Sequence, residues 1–384
     1  MKILILHTFY QIKGGEDSVF TQEKSLIEKE HEVKEISFQN KSGLVGAFQF
    51  LFSIWNIVAA KKLKRMLISF KPDIVHIHNM HFGIGPIAII TAKNLGIPVV
   101  VTLHNYRLLC PSGILQHKGH LFTNSLHSNF PWKAVRYKVY RSSYLQTFWL
   151  AFCNWFHKKI KTWNKVDRYI VLTDFAKELL LNSNLEIMKD QVVVKPNFVS
   201  SNSIMQKDRA ENFLFVGRLM EEKGILLLLN TFKDLDLKLE IAGSGPLINE
   251  VLEVCKNNDN IEYLGNLNKI EVLNAMKKCS ALIFPSTWFE GMPMTILEAF
   301  SLGTPVISSN IGAMKTMIDH EVNGLHFETG NTNDLKKTVQ KWFYLSDDSK
   351  QSFRTSAYLS FKEKYSENKN KTELFQIYQS LSTK

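Results

Sequence analysis

The stretch Phe289-Glu-Gly-Met-Pro-Met-Thr-Ile-Leu-Glu-Ala299 sets two carboxylates, Glu290 and Glu298, eight positions apart around a proline. The apolar run at 281–284 predicts a buried strand, residues 285–293 its loop, and residues 294–302 a helix opened by Pro293, whose missing N–H suits a first turn. The backbone N–H groups of roughly Met294, Thr295, Ile296 and Leu297 would then lack intrahelical partners. Together with the helix dipole they can hold a diphosphate. Glu290 precedes that turn and Glu298 lies within it, so the two can reach different parts of one ligand. Alone, two glutamates near a helix start are more often solvated surface charges.

The segments upstream change that balance. After a polar linker at 200–212, a strand at 213–216 runs into Gly217-Arg218-Leu219, then Glu221-Glu-Lys223-Gly224 and an apolar helix at 225–232. Arg218 and Lys223 therefore follow the carboxyl end of a first strand, where open α/β sheets bind ligands. An arginine fork and a lysine point charge suit a pyrophosphate leaving group, whose charge grows as the bond to it breaks. A strand at 237–242 leads into the turn Gly243-Ser244-Gly245-Pro246, and residues 260–265 form another strand through Tyr263 and Leu264 to a glycine. Glycine at these ends lets backbone approach a phosphate or base closely, although a plain turn explains either one alone.

In this order and approximate spacing, the Gly-Arg-Leu and Glu-Lys-Gly pieces, the Gly-Ser-Gly-Pro turn, the Tyr-Leu-Gly strand end and the Glu-x7-Glu segment resemble the retaining glycosyltransferase family 4, of the bacterial surface-polysaccharide type. The resemblance covers nearly the whole chain and implies an α/β GT-B fold, with two Rossmann-like doubly wound domains facing across a cleft. It implies an amino-terminal acceptor domain over 1–200, a nucleotide-sugar donor domain over 201–365, and a last helix within 366–384 that packs back on the first domain. It also implies that Arg218 and Lys223 bind the diphosphate, Glu298 the ribose, and Glu290 the transferred sugar. Gly217, the turn at 243–246 and the strand end at Tyr263 and Leu264 would line the nucleotide.

In the amino-terminal half, residues 2–6 predict a buried parallel strand. Gly14-Gly15-Glu16 follows in a loop before a helix at 17–29; by resemblance, this glycine pair lets backbone approach the donor phosphate and acceptor. Two further strands, at 73–78 and 98–104, end in histidines. The resemblance puts His104 next to the donor sugar, and Glu16, Arg107 and the loop 110–113 on the acceptor side. Relatives with Cys-Pro at that loop often carry more cysteines soon after, whereas the next one here is Cys153.

His76 and His78 share one strand face and His81 follows, a spacing that suits zinc, but no carboxylate or cysteine close in sequence completes a site. Asp234-Leu-Asp236 falls in a helix-to-strand turn, where aspartates are expected anyway. The expectation is therefore a UDP- or GDP-linked donor with no metal, its phosphate charge met by two cations and a helix terminus. The four cysteines, at 110, 153, 255 and 279, have no paired spacing and read as free thiols of a reducing compartment.

The 384 residues suffice for two cores, and 45% hydrophobic content argues against disorder. The start reads as a strand rather than a signal peptide, which predicts a cytoplasmic protein. The net charge of +11 is uneven: residues 1–200 hold 26 Lys and Arg against 13 Asp and Glu, the rest 21 against 23. An apolar stretch at 47–60, too short to span a bilayer, is followed by Lys61-Lys62-Leu63-Lys64-Arg65. Residues 130–168 interleave Trp132, Tyr137, Tyr140, Trp149, Trp155 and Trp163 with nine basic residues and one acid, Asp167. Such a mixture suits an anionic membrane surface, the alternative being aromatics packed on the core beneath solvated lysines. No nucleic-acid motif accompanies the charge. The expectation is transfer of a sugar to a lipid-linked or polysaccharide acceptor, with peripheral attachment to the cytoplasmic face of the membrane. A GT-B sugar-nucleotide epimerase, or a catalytically silent sugar-nucleotide or membrane-binding protein, are the alternatives.

Overall fold

The computed structural model describes residues 1–11, 14–200 and 208–382, so part of the expected linker, 201–207, lies outside the described residues. The chain divides into two compact units. One comprises Met1–His117, Phe122–Asn197 and Asn370–Lys384, the other Lys118–Leu121 and Phe198–Lys369.

The first unit is built on six strands: β1 (Lys2–Phe9), β2 (Glu32–Gln39), β3 (Ile74–Ile77), β4 (Val99–Leu103), β5 (Arg168–Val171) and β6 (Val192–Val194). Their order is 2-1-3-4-5-6 and every pairing is parallel. The second unit uses β7 (Phe213–Val216), β8 (Leu239–Ala242), β9 (Ile261–Gly265), β10 (Ala281–Phe284), β11 (Val306–Ser309) and β12 (Gly324–Phe327). Their order is 9-8-7-10-11-12, again all parallel.

Each unit is thus doubly wound, and the strand compositions say why. Runs such as Ile3 to Leu6 and Ala281 to Ile283 are wholly buried, as strands covered on both faces by helices must be. In the second unit β7 and β10 start the two opposite windings, and the crevice at their carboxyl ends is where such sheets bind ligands. In the first, β1 and β3 make the corresponding switch.

The last helix, Glu367–Ser382, carries Leu374, Ile377, Tyr378 and Leu381 into one core with Ile3, Ile5, Phe20 and Ile74 of the first unit. Asn370 Nδ2 also donates to the Pro196 carbonyl at 2.6 Å. All four cysteines are free thiols. No single helix among the described residues is long and apolar enough to cross a membrane; helices Gly43–Phe52 and Ile57–Phe70, which share the apolar stretch, meet at 72°.

Candidate active site

In the second unit, the loops after β7, β8 and β10 are held against one another by backbone. Gly243, at φ +145°, leaves no room for a side chain: a Cβ there would sit 1.9 Å from the Gly217 carbonyl oxygen. Gly245 packs on the backbone of Leu219, and Leu219 N donates to Ser244 O at 2.9 Å. Tyr263 braces the same turn by donating its hydroxyl to Gly243 O at 2.8 Å. Gly224, at φ +73°, would place a Cβ 2.0 Å from the Pro285 carbonyl, while Thr287 N donates to Glu222 O at 2.9 Å. These glycines are required by close approach, so the turn explanation holds in addition to any role toward a ligand.

The charged side chains converge there. Lys223 Nζ lies 2.5 Å from Glu290 Oε1, which also accepts from Trp288 Nε1 at 2.6 Å and Ser286 Oγ at 2.9 Å. Glu290 is 8% exposed, so three donors hold a nearly buried carboxylate at one oxygen. The Lys223 ammonium stands over the Trp288 ring at 5.1 Å. Arg218 is exposed, and its side chain makes no ion pair or hydrogen bond among the described residues, a cation with its donors open. Glu298 is paired with the exposed Lys269. Trp288, Ser286 and Lys269 were not anticipated, and only Ser286 and Trp288, by lying in the loop 285–293, carried any signal.

The helix expected at 294–302 forms as Met294–Ser301, with Pro293 as its N-cap. Its carbonyl accepts from Ile296 N at 3.1 Å, so that amide is not available to a ligand. Ile296 and Leu297 send fully buried side chains into the core, leaving Met294 and Thr295 as the half-exposed part of the turn. Their N–H groups have no partner among the described residues. Glu298 is the fifth helical residue, in the second turn. Asp234 pairs weakly with Lys336, at 3.8 Å, in the helix-to-strand turn.

In the first unit, the helix begins at Gly15 and not at Asp17, so Gly15 and Glu16 belong to its first turn, with Gly14 as the N-cap. Gly14 N donates to Asp17 Oδ2 at 3.0 Å, which fixes the helix start better than a loop would. A Cβ at Gly14 or Gly15 would meet nothing, and neither has a positive φ. The fold therefore does not demand these glycines. Glu16 accepts from Tyr10 and Asn105 at 3.3 and 3.2 Å, and its other oxygen is buried without a partner among the described residues. Burial foremost, with Asp17 adding repulsion, pushes its carboxyl up to about 8.

Behind Glu16 lies a buried polar network. Lys195 Nζ is 2.6 Å from Glu23 Oε2, and Glu23 Oε1 is 3.4 Å from His78 Nε2. His78 Nδ1 lies 3.1 Å from His104 Nε2, and His76 is held by Tyr378 at 2.7 Å and Thr102 at 2.8 Å. Burial holds His104 and His76 well below the usual histidine range, so both rings are neutral at physiological pH. Burial alone would raise Glu23; Lys195 and the histidines overcome it and hold the carboxyl well below its usual value.

Glu23, His76 and His78 have ligand atoms close enough to hold a metal ion. No carboxylate close in sequence stands beside the histidine pair, but the helix Gly15–Glu28 brings Glu23 there from a distant part of the chain, which the local spacing could not show. Both His76 nitrogens and one Glu23 oxygen are already engaged by Tyr378, Thr102 and Lys195, so the donor set suits an internal ion pair better than a cation. His81 points elsewhere in role: its N–H caps Asn79 Oδ1 at 2.9 Å.

Two doubly wound parallel sheets, with charged groups at the second one's switch point, define a two-domain α/β architecture of the GT-B kind. The chain belongs to the GT-B glycosyltransferases: residues 12–202 match Glycosyltransferase Family 4, and residues 200–359 match Glycosyl transferases group 1. It is 34% identical over 176 residues to an uncharacterized glycosyltransferase of Methanocaldococcus jannaschii, covering 45% of this chain and 48% of that relative, about half its length. It is 27% identical over 302 residues to the Escherichia coli UDP-Gal:alpha-D-GlcNAc-diphosphoundecaprenol alpha-1,3-galactosyltransferase, over 74% of this chain and 69% of that one. The fold matches that of Anabaena HepE, solved in complex with UDP, at a TM-score of 0.67 and 14% identity, over 99% of this chain and 100% of that one.

Proposed function

We propose that the protein transfers a sugar from a UDP- or GDP-linked donor to a lipid-linked or polysaccharide acceptor, with retention at the anomeric carbon. The observation that carries this reading is the Lys223–Glu290 pair, held by Trp288 and Ser286 at the switch point of the second sheet. The Lys223 ammonium has three donors and can keep Glu290 while reaching a phosphate oxygen. Arg218, with its fork unpaired among the described residues, supplies the second cation. The relative that uses UDP-galactose and a diphosphoundecaprenol-linked acceptor, together with the solved UDP complex, supports the choice of substrates.

In this reading the donor diphosphate meets Arg218, Lys223 and the amides of Met294 and Thr295, and Glu298 takes the ribose hydroxyls. Glu290 orients the hydroxyls of the transferred sugar. The bond from the anomeric carbon to phosphate breaks while the acceptor oxygen bonds on the same face, and its proton passes to the departing phosphate oxygen. The two cations act because the diphosphate is more negative once released. His104, neutral, is the residue proposed beside the donor sugar, and Arg107 and Glu16 belong to the acceptor side. No metal is assigned, since protein groups carry the phosphate charge. The protein works in the cytoplasm, attached peripherally by its basic first unit.

The test is transfer from UDP- and GDP-sugars to a lipid-linked acceptor, with product anomers assigned by NMR, before and after treatment with chelator. The expected result is a retained anomer from chelator-treated enzyme. An inverted product contradicts retention, and loss of activity restored by manganese or magnesium contradicts metal independence.

A further inference from the structure

Helix Gly43–Phe52 buries none of its residues, and Leu44, Val45, Phe48 and Phe52 are 80%, 64%, 60% and 61% exposed. The same helix contributes Ala47, Phe50 and Leu51 to the wall of a cavity of about 970 Å³ within the first unit. That is near the top of the roughly 300–1,000 Å³ range of ligand pockets. Phe82, Tyr140, Phe148 and Trp149 continue the wall, and Trp149 Nε1 pins the helix by donating to Phe50 O at 2.9 Å.

The charged part of the lining is cationic, beside neutral polar groups of Tyr10, Gln11, Asn40, Ser42, Gln49 and Gln146. Lys41, Arg107 and Arg141 line the cavity and, among the described residues, no carboxylate does. The Arg107 guanidinium lies over the rings of Phe82 and Tyr140 at 5.3 and 5.5 Å, and Arg141 over Tyr140 at 5.4 Å. Arg107 donates through Nη1 to Pro111 O at 3.2 Å, while its buried Nε has no partner. Two guanidiniums beside one ring, in a cavity whose wall is largely aromatic and aliphatic, suit an anion joined to a hydrocarbon chain. Tyr10 lines the cavity too and donates to Glu16, which joins its basic side to the cluster of Glu16 and Asn105.

We propose that this cavity holds the diphosphate and first isoprenoid units of a polyprenyl-diphosphate-linked acceptor, with Arg107 and Arg141 on the diphosphate and the aromatic wall on the chain. The proposal rests on the reading of the acceptor as lipid-linked and adds to it a place for the lipid. Entering there, the diphosphate brings the sugar attached to it toward Glu16 and Asn105, and the rest of the chain leaves along the exposed apolar helix.

Calorimetry with farnesyl diphosphate, farnesol, inorganic pyrophosphate and dihexanoylphosphatidylglycerol tests this. Farnesyl diphosphate should bind at least roughly 10-fold more tightly than the other three, and Arg107→Gln with Arg141→Gln should lose about 10-fold, the scale of a charge-assisted hydrogen bond. Ala47→Trp, which fills the cavity, should abolish binding while UDP or GDP binding is unchanged, which excludes global unfolding. Equal affinity for the phospholipid would make the cavity a membrane-lipid site and overturn the proposal, as would unaltered binding in the variants. If farnesyl diphosphate does not bind but transfer to a lipid-linked acceptor persists, the cavity assignment alone falls. If it binds as expected and no lipid-linked acceptor is glycosylated, the acceptor reading falls and the cavity remains an isoprenoid diphosphate site.

Discussion

The two units share a sheet of six parallel strands but keep their charges in opposite ways. In the second, Arg218, Lys223 and Glu290 stand beyond strand ends and Glu298 in the second turn of the helix Met294–Ser301; Arg218 is exposed, while Lys223, Glu290 and Glu298 are partly to nearly buried. In the first, Glu23 and Lys195 form an ion pair at 1% exposure each, with His76 and His78 packed against it. Charges on loops can exchange partners when a ligand arrives. Charges buried under the sheet cannot, because removing one partner leaves the other desolvated. The second arrangement suits binding and chemistry, the first suits fixing the geometry of what stands in front of it, such as His104 and Glu16.

The largest expected effect tests that division at its buried end. Lys195→Met leaves Glu23 uncompensated and should cost about 3–5 kcal/mol of stability, read by urea denaturation. A loss below about 1 kcal/mol would show that the network is solvated or neutral and not an ion pair. Next, Arg218→Ala or Lys223→Ala should lower turnover by roughly 100-fold while the denaturation midpoint stays near wild type. Near-normal turnover in both removes the leaving-group role and with it the contrast.

A smaller effect concerns Glu16. Its folded carboxyl, at about 8, is raised above the ordinary 4.5, so its contribution to stability is complete below about 4.5 and is lost as pH rises through about 8. Thermal melts across that window should slope downward in wild type and less so in Glu16→Gln; identical slopes would mean that the carboxyl is ionised throughout. The smallest effect belongs to the exposed basic residues. Changing Lys61, Lys62, Lys64 and Arg65 to glutamine should weaken sedimentation with anionic vesicles by roughly 1 kcal/mol per residue engaged, and added salt should do the same. Wild type that ignores anionic vesicles at low salt would make these residues a solvated face.

The same contrast decides what could be read in advance. Strands β7 and β10 and the helix Ile225–Phe232 lie at their expected places because continuous apolar runs bounded by glycine and proline leave few alternatives. Arg218, Lys223 and Glu290 lie close to strand ends in sequence, so order along the chain already implied proximity. Glu23, His76, Lys195 and Tyr378 are distant in sequence, Tyr378 by 302 residues from His76; the packing of the helix Gly15–Glu28 on the first sheet joins Glu23 to His76 and Lys195, and the last helix adds Tyr378. The helix expected at 294–302 starts where the proline implied, with Pro293 as N-cap to Met294–Ser301, because a residue without an N–H loses nothing at that end. The aromatic stretch 130–168 divides: Trp163 is buried at 1% exposure and Trp132 is 63% exposed, a difference that composition does not carry.

Calorimetric titration of UDP and GDP, run beside transfer assays, into wild type, Glu298→Ala and Glu290→Ala tests the donor site most directly. The account predicts that wild type binds one of the two diphosphates and that Glu298→Ala weakens that binding. Glu290→Ala should keep it, because Lys223 is then freed for phosphate, and should lose sugar transfer. Equal loss of diphosphate affinity in both variants, or no binding of either diphosphate by wild type, would contradict it.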